Sequence, residues 1–206
     1  MAELAEVVSG SALDAAPQLL GARLRHRTTQ GTVAVRITEV EAYSGDGTDA
    51  AAHTHRGLTP RNQVMFGPAG TLYVYFSYGM HWCANVVCGP PGAGEAVLIR
   101  AGEVVQGLET ARVRRPAVRR DVDLARGPAR LTQALGITGA DNGTDLIRAG
   151  SAVSLTLAEP PPPASDVRTG PRVGISKAAD LPWRFWLDGE PTVSRAPRRA
   201  ARGTAL

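Results

Sequence analysis

Cysteine is scarce in this 206-residue chain, lysine is scarcer, and aromatics are limited to three Trp, four Tyr and three Phe. Cys83 and Cys88 are too few for a disulfide framework. Their odd separation puts them on opposite faces of a regular strand, so reduced, buried thiols in a cytosolic compartment are expected. No stretch approaches the roughly 20 consecutive apolar residues of a spanning helix. The opening MAELAEVVSG lacks the basic start and unbroken apolar run of a secretory signal. Membrane and secreted classes are therefore not expected. Hydrophobic residues make up 43% of the chain, enough for one well-formed core and too little for two large ones. The net charge is +4, with the basic excess in residues 101–206. That permits a polyanionic partner without demonstrating one, because arginine is abundant throughout and Lys177 is the only lysine.

Residues 3–20 carry a helical pattern interrupted by Pro17. From Thr32 the pattern becomes alternating, placing Val33, Val35, Ile37, Glu39, Glu41 and Tyr43 on one strand face. A polar loop spans 44–58. Thr59-Pro60 then reads as a helix start for a short helix ending by Gly67-Pro68. Strands over 71–78 and 82–88, joined by Tyr78-Gly79-Met80, predict a hairpin. A buried strand is expected over 96–101, helices over 104–113 and 129–135, and strands over 151–157, 172–175 and 183–187. Irregularly mixed strands and helices without an internal repeat predict one α+β domain. The stretch from Arg195 onward is basic and rich in small residues, which predicts a loose tail.

Several side chains stand out chemically. Glu39 and Glu41, two apart on one face, are near neighbours. Acids beside apolar side chains resist ionising together, which can poise one as a general base. The simpler reading of the pair alone is that both are solvated at a strand end. Tyr43 on the same face favours a lined cavity instead. His53 and His55 supply only two candidate metal ligands, and the cysteines lie in another segment, so no metal site is expected. Tyr73 and Tyr75 share a face, whereas Tyr78 falls at the turn, where packing gives a ring nothing and stacking on bases would. Asn85 sits mid-strand against its propensity. Arg100 ends an apolar strand as either an ion-pair partner or a phosphate contact.

Together, EVEAYSGDGTDAAAH, TPRNQVMFGPAGTLYVYFSYGMHWCANVV and AVLIRAGEV resemble the alkyladenine (3-methyladenine) DNA glycosylases of the mammalian type. GPARLTQALGI, PRVGIS and WRFWLDGEPTVS resemble that family's later blocks in the same order, so that the resemblance spans about residues 15–195. It implies a single α+β glycosylase domain over 1–195, with a curved antiparallel sheet, a protruding hairpin and surrounding helices, followed by a basic, flexible tail over 196–206. Glu41 matches the general base that activates a water. Tyr43, His53 and Tyr75 match the walls that sandwich an extruded base, and Asn85 the position that obstructs the 2-amino group of guanine. Tyr78 matches the residue that fills the gap left in the duplex. Arg100, Met80 and Arg130 are expected as positioning residues or phosphate contacts. The implied activity is monofunctional base excision repair of alkylated or deaminated purines in double-stranded DNA. It releases a free base and leaves an abasic site without strand cleavage, since Lys177 lies far along the sequence from the candidate catalytic and pocket residues. No cofactor is implied; the enzyme is expected as a cytoplasmic monomer, nucleoid-associated in a prokaryote. A non-catalytic nucleic-acid module, which would not require Glu41, an O-glycoside hydrolase using Glu39 with Glu41, and a family fold acting on RNA or free nucleosides are the competing readings.

Overall fold

One 13-residue strand organises the molecule. β2 (Gly31–Tyr43) pairs along one edge with β5 (Glu95–Gln106). Its other edge takes β1 (Arg23–Thr28) over its first half and β8 (Arg184–Leu187) over Glu39–Glu41. Serving two partners along one edge splits and curls the sheet. β3 (Leu72–Ser77) and β4 (His81–Cys88) form the expected hairpin beyond β5, β6 (Val153–Thr156) continues beyond β1, and β7 (Val167–Gly170) pairs with β8. Every pairing among these strands is antiparallel. The computed structural model describes residues 2–77 and 79–194; Tyr78 and the basic tail lie outside the described residues.

Four helices, α1 (Ala2–Ser9), α2 (Ala12–Gln18), α3 (Leu108–Arg114) and α4 (Pro128–Leu135), complete a single α+β domain. Ser11 caps α2 by accepting from the Asp14 N–H at 3.2 Å, and Ala12, Ala15 and Ala16 let the helix approach the sheet closely. α4 opens with Pro128 at its first position and closes at Gly136, whose φ of 74° is the left-handed cap that glycine tolerates. Leu131, Ala134 and Leu135 of α4 are fully buried in the main core. Each such leucine contributes about 1.5–3 kcal/mol of burial. No helix among the described residues is long and apolar enough to cross a membrane.

The core shows where the alternation of β2 breaks. Val33, Val35 and Ile37 face the helices, and so do Val40 and Ala42; the parity changes between them. Register shifts at Ile37/Glu39 and Glu39/Val40 leave Thr38 of β2 and Arg100 of β5 without a paired residue. The extra residue in each strand turns the following side chains over. Glu39, Glu41 and Tyr43 therefore face away from Val33, Val35 and Ile37, not with them as strict alternation predicts. This explains a face that reads as greasy at one end and acidic at the other: it is two faces. Both acids are fully buried rather than solvated at a strand end.

Other local expectations also change. The 3–20 helix is two helices broken at Gly10-Ser11. Thr59-Pro60 starts no α-helix; Asn62 instead ties the Thr59 N–H with its side chain, and only Gln63–Phe66 forms a 3-10 turn. The first residues of the 104–113 helix continue β5, and the helix begins at Leu108 after Gly107, whose φ is 73°. β1 and β7 had no expected counterpart, and 172–175 is irregular rather than a strand. Cys83 and Cys88 are free, buried and on opposite faces, with Cys88 in the helix-side core.

Candidate active site

The face of the sheet turned away from the helices carries a cavity of about 500 Å³, within the range of small-molecule pockets. β3 supplies Tyr73 and Tyr75 from alternate positions, β4 supplies Cys83 and Asn85, and β2 and β5 supply Tyr43, Leu98 and Arg100. Their common face follows from the pairing of Asn85 with both Tyr73 and Leu98. The 44–58 loop brings in His53, and 173–175 closes another side.

Buried bonds fix that loop. Arg172 grips Asp49 with two nitrogens, at 2.6 and 2.7 Å, and both side chains are fully buried. Asp49 also accepts from the Ser44 and Ala51 N–H groups. Arg172 donates to the Ala42 carbonyl at 2.9 Å and lies over the Tyr43 and Trp183 rings at 4.6 and 5.0 Å. Further along, Asn62 donates to the His53 carbonyl, and Thr54 to the Gly94 carbonyl.

His53 meets Tyr75 edge-to-face with centroids 4.4 Å apart, and its Nδ1 lies 3.1 Å from the Tyr73 hydroxyl. Tyr73 and Tyr75 stack at 5.6 Å. A ring inserted between two others needs them about 7 Å apart. His53 and Tyr75 are thus one continuous wall, with no space for a flat ring between them. Burial holds the His53 pKa below 6.5, with the Arg61 charge adding to the effect. Burial pushes the Tyr73 phenol up to about 12 and lifts Tyr75 further, with the Cys83 thiol contributing there. The wall is neutral and aromatic at physiological pH.

Glu41 lies one hydrogen bond behind the lining. Its Oε2 accepts from the Tyr43 hydroxyl at 2.9 Å and lies 3.2 Å from Arg100 Nη1, and both partners line the cavity. Its Oε1 accepts from the Val173 N–H at 2.7 Å. Burial, followed by the Glu41 charge, holds the Tyr43 phenol well above its ordinary pKa, so it remains a donor. Burial pulls Arg100 down, but Glu41 and Glu39 outweigh it and keep the guanidinium above its ordinary value. A carboxylate, a fixed cation and a phenol donor thus converge beside an aromatic slot, an arrangement suited to activating a water beside a flat ligand.

The other expected residues are distributed unevenly. Asn85 lines the cavity, 5% exposed, and its Nδ2 donates to the Tyr73 carbonyl at 3.1 Å. Met80 is 67% exposed at the hairpin end and lines no part of this cavity. Arg130 is exposed on α4, bonded weakly to the Arg126 carbonyl at 3.5 Å. Arg100 is an ion-pair partner of both acids. His55 is exposed and away from the lining. Sequence reasoning gave no role to Asp49, Arg61, Arg172 or Arg184, although PRVGIS and WRFWLDGEPTVS contain the last two. An arginine in a short block among apolar and small residues was the available signal.

A family model described as methylpurine-DNA glycosylase matches residues 6–191. A relative in Nocardia farcinica is 55% identical over 197 residues, covering 92% of this chain and 91% of its own. Relatives in Burkholderia lata and Leifsonia xyli are 56% and 52% identical, covering 89% and 93% of this chain and 86% and 91% of theirs. All three carry the provisional name 3-methyladenine DNA glycosylase. With a matching model over nearly the whole length and such identity over most of the chain, the chain belongs to the methylpurine-DNA glycosylase family.

Proposed function

We propose that this DNA glycosylase removes alkylated or deaminated purines from duplex DNA by hydrolysis, with Glu41 as the general base. A duplex buries the glycosidic bond, so the nucleotide rotates out first, at a cost of a few kcal/mol that weakened pairing at a lesion reduces. The extruded base lies against Tyr75 and His53. A positively charged alkylpurine gains about 1–2 kcal/mol there through cation–π attraction, and a neutral His53 does not repel it. Glu41 takes a proton from water as the water attacks C1′, and Arg100 and Tyr43 hold the carboxylate in place. Asn85, fixed through Tyr73, obstructs the 2-amino group of undamaged guanine. Tyr78 fills the gap in the duplex; its neighbours Phe76 and Met80, 44% and 67% exposed, offer the apolar surface such a prong needs.

Lys177, the sole lysine, follows two residues after the cavity-lining Ile175, nearer than sequence spacing implied, but is exposed and outside the lining. Water rather than a lysine amine is therefore the nucleophile, and the product is an abasic site in an uncut strand.

The observation that carries this reading is the buried Glu41 carboxylate bonded to two cavity-lining side chains. The test is single-turnover base release from a duplex bearing 3-methyladenine or 7-methylguanine. Glu41→Gln is expected to keep lesion binding and lose about 10²–10⁴-fold in rate. A fully active variant removes the assignment.

A further inference from the structure

Glu39 is a buried acid beside Glu41 that this mechanism leaves unused. Its side chain is fully buried, yet three hydrogen bonds reach it, from Arg100 Nε at 3.1 Å, Ser194 Oγ at 2.8 Å and the Ser194 N–H at 2.7 Å, and the Arg184 Nε lies 3.5 Å away as an ion-pair contact. Burying an ion pair is weak evidence for stability, since well-packed apolar residues do as well or better. What these bonds do supply is geometry. Arg100 is the unpaired residue of its bulge, and a long side chain there has about 1.5–2 kcal/mol of rotamer freedom to lose. Glu39 takes its Nε, and Ser194 Oγ lies 3.4 Å from its Nη2. Nη1 is thereby left for Glu41 and for the Val173 carbonyl at 3.5 Å.

Ser194 is itself held by the segment before it. Thr192 bonds Thr38, the bulged residue of β2, at 2.8 Å. Arg126 donates to the Val193 carbonyl at 2.9 Å, and Glu190 pairs with Arg36 at 2.7 Å. None of residues 190–194 lines the cavity.

We infer that residues 190–194 form a positioning strap: through Glu39 it orients the Arg100 guanidinium against Glu41, so that Ser194 and Glu39 govern the rate of hydrolysis without touching substrate. This rests on Glu41 as the base. Without the clamp, the guanidinium fork rotates and presents other nitrogens to Glu41, and displacements of about 1 Å in such a site cost up to 10²-fold.

The test uses the full chain and a duplex carrying one 7-methylguanine. Single-turnover rate constant, reaction amplitude, lesion Kd and urea midpoint are measured for Ser194→Ala, Ser194→Thr, Glu39→Gln and Glu41→Gln. Ser194→Ala and Glu39→Gln are expected to lower the rate constant about tenfold to a hundredfold, with amplitude and Kd unchanged. Ser194→Thr, which keeps the hydroxyl and the N–H, is expected to restore most of the rate. A wild-type rate constant in Ser194→Ala overturns the inference. So does a smaller amplitude at unchanged rate constant, which is the mark of partial unfolding. If Glu39→Gln fails to fold, the serine pair still decides. An inactive Glu41→Gln beside a wild-type Ser194→Ala ends only the strap, whereas an active Glu41→Gln ends the mechanism beneath it.

Discussion

Replacing Asp49 with asparagine keeps the size of the side chain and removes one charge from a pair that water does not reach. Arg172 then retains its carbonyl contacts and its place over two rings, but its charge is uncompensated, and the new amide hydrogens point at guanidinium hydrogens. The Arg172 Nε has no hydrogen-bond partner as it stands, so no spare acceptor takes up the loss. Breaking a buried pair from one side costs about 3–5 kcal/mol. For a chain of this size that corresponds to a fall in Tm of about 6–20 °C. Urea unfolding followed by tryptophan fluorescence measures it directly. The double variant Asp49→Asn/Arg172→Met is expected to recover part of the loss, because no lone charge remains. A single-variant loss below about 1 kcal/mol, or a double variant no better than the single, refutes the view that the pair anchors the 44–58 loop.

Three further outcomes follow from the site. His53 is expected to titrate below 6.5 by imidazole NMR, and Arg61→Gln to raise it only partway, since desolvation is the larger cause; titration at or above 6.5 contradicts the desolvation of this wall. The linked sign is that the unfolded chain binds this proton more readily, so acidification from 6.5 towards the folded value lowers stability, and His53→Gln flattens that dependence. Gly45→Ala places a Cβ 1.8 Å from the Ala93 carbonyl oxygen, which forces two loops apart and lowers the urea midpoint by an amount equivalent to about 1–3 kcal/mol; an unchanged midpoint shows that the loops part freely. Asn85→Ser is expected to increase release of undamaged guanine relative to 7-methylguanine in competition assays, and unaltered discrimination removes the gatekeeping role.

The hairpin and the aromatic wall were legible because Tyr73, Tyr75, Cys83 and Asn85 obey simple alternation within two short strands. Glu41 and Tyr43 were identified correctly as neighbours, but their orientation was not legible. Bulges arise from pairing with a second strand, and one strand's sequence does not report its partner's register. The same reason hid β1, whose arginines at positions 23, 25 and 27 are exposed while Leu24 and His26 face the core. Its charged side reads as loop until β2 and β6 are known to flank it. Asp49 with Arg172, and Glu39 with Ser194, join residues more than a hundred positions apart. Such pairs depend wholly on tertiary structure.

Thr38 and Arg100 are surplus to this stretch of the pairing: excising both would run Ile37–Gly102, Glu39–Ala101 and Val40–Ile99 in one unbroken register, with their neighbours still on their present sides. A shortened protein of that design is expected to fold and to be inert. The irregularity is thus a means of insertion, by which a flat lattice admits one long cationic arm between two acids that regular pleating would leave with no room for a third party.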